Sequence, residues 1–307
     1  MGLSKLTLNR LAQGQKIWRS TPDLRDAIGF STRMFVQASL PHKDPGNDLD
    51  VWVRRNGKAI LTIQQGFRVG LNNEVVKIGY PYGSTPRLIL IYLASEAVKT
   101  KNPRIGLGDT MSEFLRRIGL PRDTHYIRML KKQIVRLFAA DIRFAFGTDK
   151  IIMGANGSIA DQYVLWWDEK RTSNPDQKQL WPSEVLLNQR FFDEIIQHGF
   201  PLDLDAVGGI KKSPLALDLY GFLAYRMNTV KDDVFIPWQS LHEQVGSDYG
   251  DVKGFKRRAK EALKLVGMFW PKLALKDVNG GFVIQSSPMP VPKLQAGQQI
   301  PLPKLAA

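Results

Sequence analysis

Five of the six cations within GSDYGDVKGFKRRAKEALKLVGMF, residues 246–269, recur at helical spacing: Lys253, Lys256, Arg257, Lys260 and Lys264. Wound as a helix from about Tyr249, they share one face, while Val252, Phe255, Ala259, Ala262 and Val266 form an apolar stripe on another. A basic helix face alone is usually just solvated, but solvated faces ordinarily mix charge signs. A one-signed face suits a polyanion, because each phosphate it neutralises releases condensed counterions. Near the helix start, Lys253 and Arg257 could read guanine edges. Tyr249 could meet a base, sugar or phosphate, or pack against its own domain. A second stretch, PRDTHYIRMLKKQIVRLF (121–138), puts His125, Arg128, Lys132 and Arg136 on one side, with Lys131 beside them and Arg122 ahead. It carries five Lys/Arg against one Asp, and residues 251–264 carry six against two acids, so each is +4.

Other chemistry finds little support. His42, His125, His198 and His242 form neither HxH nor HExxH, and with no cysteine there is no thiolate zinc site, disulfide or thiol nucleophile. GxxxxGK[ST] is absent, and GLGD at 106–109 lacks the third glycine of a dinucleotide fingerprint. The DLD triplets at 48–50 and 203–205 suit helix capping or loops better than a cation. Trp166-Trp167 and Phe191-Phe192 read as core. The expectation is therefore no enzyme, no cofactor and no metal. With 307 residues, 43% hydrophobic content and a net charge of +14, the chain is globular with a polyanionic partner. No apolar run reaches the roughly 18 residues of a spanning helix. MGLSKLTLNRLAQGQK has no signal-peptide core, and Leu6 breaks the myristoylation pattern. A soluble cytoplasmic protein without a membrane partner is expected.

The basic helices need elements to hold them. VWVRRNGKAILTIQQ reads as a hairpin with a type I′ turn at Asn56-Gly57. A helix follows at STPRLILIYLASEAVKT, capped by Ser84 or Thr85, with Pro86 first. After a short strand RIGL, Asp109 can cap a helix through TMSEFLRRI that Gly119 stops, and the 121–138 helix starts near Asp123 or Thr124. DIRFAF and DQYVLWW read as strands around a connection at 147–158. DEKRTSNPDQKQL, residues 168–180, is polar and reads as a linker. The second half repeats the order: SPLALDLYGFLAYRM, strand VFIP, helix WQSLHEQV to Gly246, the basic helix, then a hairpin tipped by Asn279-Gly280 at 277–281. An offset of 128 superposes Pro86 on Pro214, Ile127 on Phe255 and Phe138 on Val266, although Leu130 falls on Arg258. This is an internal duplication of the winged helix-turn-helix order, in which the second helix enters the major groove and the hairpin reaches flanking backbone.

The expected fold is thus α+β and helix-rich, with tandem winged helix-turn-helix domains. Residues 1–29 form an N-terminal segment, 30–167 the first domain, 168–180 the linker, 181–287 the second domain and 288–307 a flexible Pro/Gln-rich tail. Within the tail, Gln299-Ile300-Pro301-Leu302-Pro303 is similar to short peptides that dock on the bacterial sliding clamp, making Gln299 and Leu302 candidate partner-binding residues.

FVQASLPHKDPG, VWVRRNGKAILTI, GYPYGSTPRLILIYLASEAVKTK, LGDTMSEFLRRIGL and SPLALDLYGFLAYRM…GSDYGDVKGFKRRAKEAL resemble the RepA-type plasmid replication initiators of Gram-negative bacteria, over about residues 30–290. The resemblance implies a non-catalytic protein that binds iterons in double-stranded origin DNA, helps open the adjacent duplex and recruits host helicase loader, helicase or polymerase machinery. It also implies a homodimer as one state, with the first domain often dimerising and the second binding DNA most specifically. The rival reading is a transcriptional repressor of the same tandem fold. A strand-nicking Rep enzyme is disfavoured by the missing HxH and paired metal site.

Overall fold

The described course of the chain begins with a helix, α1 (Lys5–Arg19), in a segment given no element from sequence. It packs along the last long helix of the chain. Gly14 permits the approach, since a Cβ there would lie 1.9 Å from the Met268 carbonyl oxygen. A strand β1 (Ile28–Thr32) leads into α2 (Arg33–Gln37), capped by the Thr32 hydroxyl accepting from the Met34 amide. The computed structural model describes residues 5–19, 27–148, 151–155, 157–165, 183–228, 230–246 and 248–291. The chain divides into two units, one of Leu40–Gly199 and one of Met1–Ser39 with Phe200–Ala307.

In the Leu40–Gly199 unit, β2 (Val51–Asn56) and β3 (Ala59–Gln64) alternate buried and outward residues, as half-covered strands must. Asn56 pairs with Ala59, so the loop is Gly57-Lys58. Only Gly57 of the pair has positive φ, 54°, which fits a Gly-first type II′ turn and replaces the expected type I′ turn on Asn56-Gly57. A second hairpin, β4 (Gly66–Val69) with β5 (Val75–Gly79), precedes α3 (Ser84–Thr100). Gly83, at φ 77°, is the N-cap of α3, displacing Ser84 or Thr85 from that role. Buried Arg87 donates to the carbonyls of Leu40, Pro41 and Gly83 and so fastens two loops to the helix.

Next come β6 (Arg104–Gly108), α4 (Met111–Arg117) and α5 (Thr124–Ala139). Thr110, not Asp109, caps α4, and Glu113 reaches back to the Asp109 amide. Four strands and a helix complete the unit: β7 (Asp141–Thr148), β8 (Ile151–Ala155), β9 (Ala160–Val164), β10 (Ser183–Leu187) and α6 (Gln189–His198). One sheet has order β2-β3-β7-β8, another β6-β10-β9. DIRFAF therefore pairs with IIMGA, not with DQYVLWW. Because β10 pairs with both β6 and β9, and α6 packs on α3, residues 183–199 join the first half instead of opening a domain at 181.

The other unit resumes with β11 (Gly199–Asp203), paired with β1, and α7 (Leu204–Ile210). Asp203 caps α7 by accepting from the amides of Asp205 and Ala206, which accounts for the second DLD triplet. Then follow α8 (Pro214–Met227), β12 (Val234–Pro237), α9 (Trp238–Leu241) with a π-helical turn His242–Gly246, α10 (Val252–Phe269), β13 (Leu275–Val278) and β14 (Gly281–Ile284). Their sheet has order β12-β14-β13. Ordered contacts run past the expected end at 287: Trp270 Nε1 donates to the Pro288 carbonyl, and Val291 is buried. The proposed linker 168–180, Trp166-Trp167, Gln299 and Leu302 lie outside the described residues.

Candidate nucleic-acid interface

Two helix pairs carry the basic faces. The first is α4 and α5, joined through Gly119 at φ 71°. The Leu120 amide donates to the Leu115 carbonyl and the Gly119 amide to that of Arg116, a Schellman ending that turns the chain sharply. Asp123 then caps α5 through the Tyr126 amide. In the second pair the turn is made differently. Phe255 of α10 is fully buried and its ring fills the space a Gly246 side chain would need, with a Cβ there only 2.3 Å away. His242 and Tyr249 pack on the same ring at 5.2 and 5.7 Å. The Asp251 carboxylate caps α10 by accepting from the Gly254 amide. The helix thus starts at Val252, and Tyr249 belongs to the packed turn instead of the expected first helical turn.

On α10 the apolar stripe falls as its spacing predicts, with Phe255, Ala259, Ala262 and Val266 buried. Lys253, Arg257 and Lys264 are exposed, and among the described residues they form no ion pair or side-chain hydrogen bond. Arg258 pairs with Glu261 on its own helix. Lys256 and Lys260 lie half-buried over the Trp238 ring, at 6.0 and 5.9 Å. Lys260 is also ion-paired to Asp277 of β13. That bond, with the charge of Lys260 and Lys256, holds the Asp277 carboxyl below its ordinary value against slight desolvation.

Arg122, just ahead of α5, and His125 and Arg128 on it are exposed, and Lys131 is half-buried. Lys132 lies 3.6 Å from Asp44 and 5.6 Å from the Tyr82 ring centre. Arg136 departs from the sequence reading. It is buried, donates to the Ile78 and Tyr80 carbonyls, and pairs with Asp44 at 3.1 Å. Burial opposes ionisation of Asp44, yet the Arg136 bond and charge, with the Gly46 amide, leave its pKa lowered. Arg136 is therefore a structural clamp on the 78–80 strand end, not a surface cation. Asp44, Tyr82, Trp238 and Asp277, which organise these lysines, were not among the sequence candidates. Only Asp277, just ahead of the Asn279-Gly280 tip, carried a local hint.

The sequence profile described as plasmid encoded RepA protein matches residues 80–238, just over half of the chain. The chain belongs to this family. The family is the one its motifs resemble, that of plasmid replication initiators. The match spans α3 to the start of α9, so it includes α5 and ends before α10. Among solved structures, a selenomethionine derivative of domains 2 and 3 of RctB is similar with TM-score 0.52 and 12% identity, over 80% of this chain and 95% of that one. A second structure of RctB domains 2–3 gives TM-score 0.51 and 11% identity, over 82% and 96%. At such identities the likeness is one of fold, here mixed α/β. No curated protein sequence matches the chain. Among the described residues no helix is long and apolar enough to cross a membrane.

Proposed function

We propose that the chain initiates plasmid replication by binding iterons in double-stranded origin DNA, without catalysis, in the cytoplasm. Each half would act as a winged helix-turn-helix, with α10 the main recognition helix, α5 a second DNA-facing helix, and the β13–β14 and β7–β8 hairpins as wings. The observation that carries this reading is the free cationic row Lys253, Arg257 and Lys264 on a helix that follows a tight turn and precedes a hairpin. In support, β12 closes on β14 behind α9 and α10, the strand order a winged helix requires. Arg122 ahead of α5, with His125, Arg128 and Lys131 on it, would meet backbone phosphates, while Arg136 is withdrawn from the interface. The decisive experiment is origin binding by Lys253→Ala/Arg257→Ala: affinity should fall strongly with an unchanged circular dichroism spectrum, and wild-type affinity would remove α10 from the interface.

Duplex opening, recruitment of a helicase loader or helicase, and a homodimeric state belong to the same proposal. For the tail, Gln299 and Leu302 would dock on the host sliding clamp. A fluorescent peptide of residues 294–307 should bind clamp measurably, and its Gln299→Ala/Leu302→Ala form should not. Equal, negligible binding by both peptides would end the clamp assignment.

A further inference from the structure

The two basic helices share one feature that their surroundings do not explain by descent alone. Aligned on their capping residues Asp123 and Asp251, Lys132 of α5 and Lys260 of α10 occupy the same position. Each lies against an aromatic ring, Tyr82 or Trp238, and each is ion-paired with a carboxylate from outside its helix, Asp44 or Asp277. The carboxylates come from non-equivalent places: Asp44 precedes β2, while Asp277 lies on β13, next to the hairpin tip. The rings also differ, since Tyr82 precedes α3 and Trp238 opens α9. The arrangement thus recurs although its parts do not. Lys253, Arg257 and Lys264 lack any such carboxylate among the described residues, so the pairing is selective.

Resting on the reading of α10 and α5 as DNA-facing, we propose that Asp277 and Asp44 are specificity-determining residues, each withholding one lysine from phosphate until a well-fitted duplex displaces the carboxylate. The physical basis is exchange. A free surface lysine that meets phosphate releases counterions from DNA, and this release drives binding to any sequence. A lysine already neutralised by a carboxylate must first give up that partner, which then stands uncompensated beside a polyanion. On a poorly seated duplex the exchange brings no gain and the lysine stays clasped. On the cognate duplex, held by Lys253 and Arg257, a phosphate brought to the junction of α10 and β13 competes at close range for Lys260. Half-exposed pairs are weak enough to be displaced in this way. Each clasp therefore lowers affinity for random DNA more than affinity for the origin.

Asp277 is the residue to test, because it is exposed and Asp44 also anchors buried Arg136. Binding of Asp277→Asn should be compared on an origin duplex and on a scrambled duplex of equal length and composition, across a salt series. The variant should bind the scrambled duplex several-fold more tightly. Its plot of log affinity against log salt should steepen by about 0.9, the contribution of one added phosphate contact. Origin affinity should change less, so the ratio of the two affinities falls. Lys260→Gln should leave scrambled-duplex affinity and slope as in wild type while weakening origin binding. In a Lys260→Gln background, Asp277→Asn should then have no effect. A gain from Asp277→Asn that survives in that background would show a general charge effect and overturn the proposal, as would equal weakening of both duplexes by Lys260→Gln. Failure of the DNA-interface reading is seen separately: Lys253→Ala/Arg257→Ala would then bind like wild type.

Discussion

Arg136 and Lys264 stand at the same distance beyond their capping aspartates, yet one is buried among backbone carbonyls and the other faces solvent. The difference lies in what covers each helix. The second half of α5 is enclosed by α3 and by the β4–β5 hairpin, and the Arg136 guanidinium donates to the Ile78 carbonyl of β5, to that of Tyr80 just after it, and to Asp44. α10 is backed by α8, α1 and α7, and β13 reaches it at Lys260 through Asp277, but among the described residues no acceptor meets Lys264. Residues at matching steps beyond two capping aspartates share a local conformation but need not share an environment.

The largest effects test that contrast directly. Arg136→Ala should cost roughly 2–4 kcal/mol, because the Ile78 and Tyr80 carbonyls lose their donor at about 1–3 kcal/mol each, while Lys132 still stands beside Asp44. Lys264→Ala should cost within about 0.5 kcal/mol and should instead flatten the salt dependence of DNA binding by about 0.9. Chemical denaturation and a salt titration read both, and a normal melt for Arg136→Ala would return that residue to the surface. Phe255→Ala should likewise lose about 3–5 kcal/mol as the plug of its turn is removed. Its counterpart Ile127 is only half-buried, so Ile127→Ala should lose roughly 1 kcal/mol. Equal losses would mean that the two turns are built alike.

Smaller effects separate the two faces as binding surfaces. Lys253→Ala/Arg257→Ala should reduce the salt slope by about 1.8, for two lost phosphate contacts, and Arg128→Ala by about 0.9, for one. A larger change from Arg128→Ala would make α5 the dominant reader. The turn glycines separate the two turns themselves. Gly119→Ala should cost about 1–2 kcal/mol through left-handed strain alone, as nothing lies within 4 Å of its Cβ position. Gly250→Ala, with open space and no positive φ, should leave the melting curve within about 0.5 kcal/mol of wild type.

Local patterns were legible in the sequence wherever one element carried its own signal. The α10 stripe, the Gly119 stop, the strand VFIP and the Asn279-Gly280 tip all follow from periodicity and turn chemistry. What escaped was long-range. Nothing near Asp44 indicates that it meets residues 132 and 136, and nothing near Ser183 indicates that β10 will pair with β6. Thr110 displaced its neighbour Asp109 as the cap of α4, because side-chain reach, not residue type alone, selects the cap. The helical face read for 121–138 was right for Arg128 and failed at Arg136, where a hairpin from a distant segment supplies the acceptors.

The unit that contains α10 is interrupted in the chain by the whole of Leu40–Gly199, and this sets an order in time. On a ribosome, residues 40–199 emerge as a complete folding unit, whereas α1 must wait for α10, more than two hundred residues downstream. At roughly 5–20 residues per second, that delay is about 10–50 s. During it β1 lacks β11 until residue 203 has been made, and α1 lacks α10 throughout. The unit that holds α10 is therefore completed last in synthesis, and once residue 199 has emerged the interrupting unit is the one whose contacts can all form.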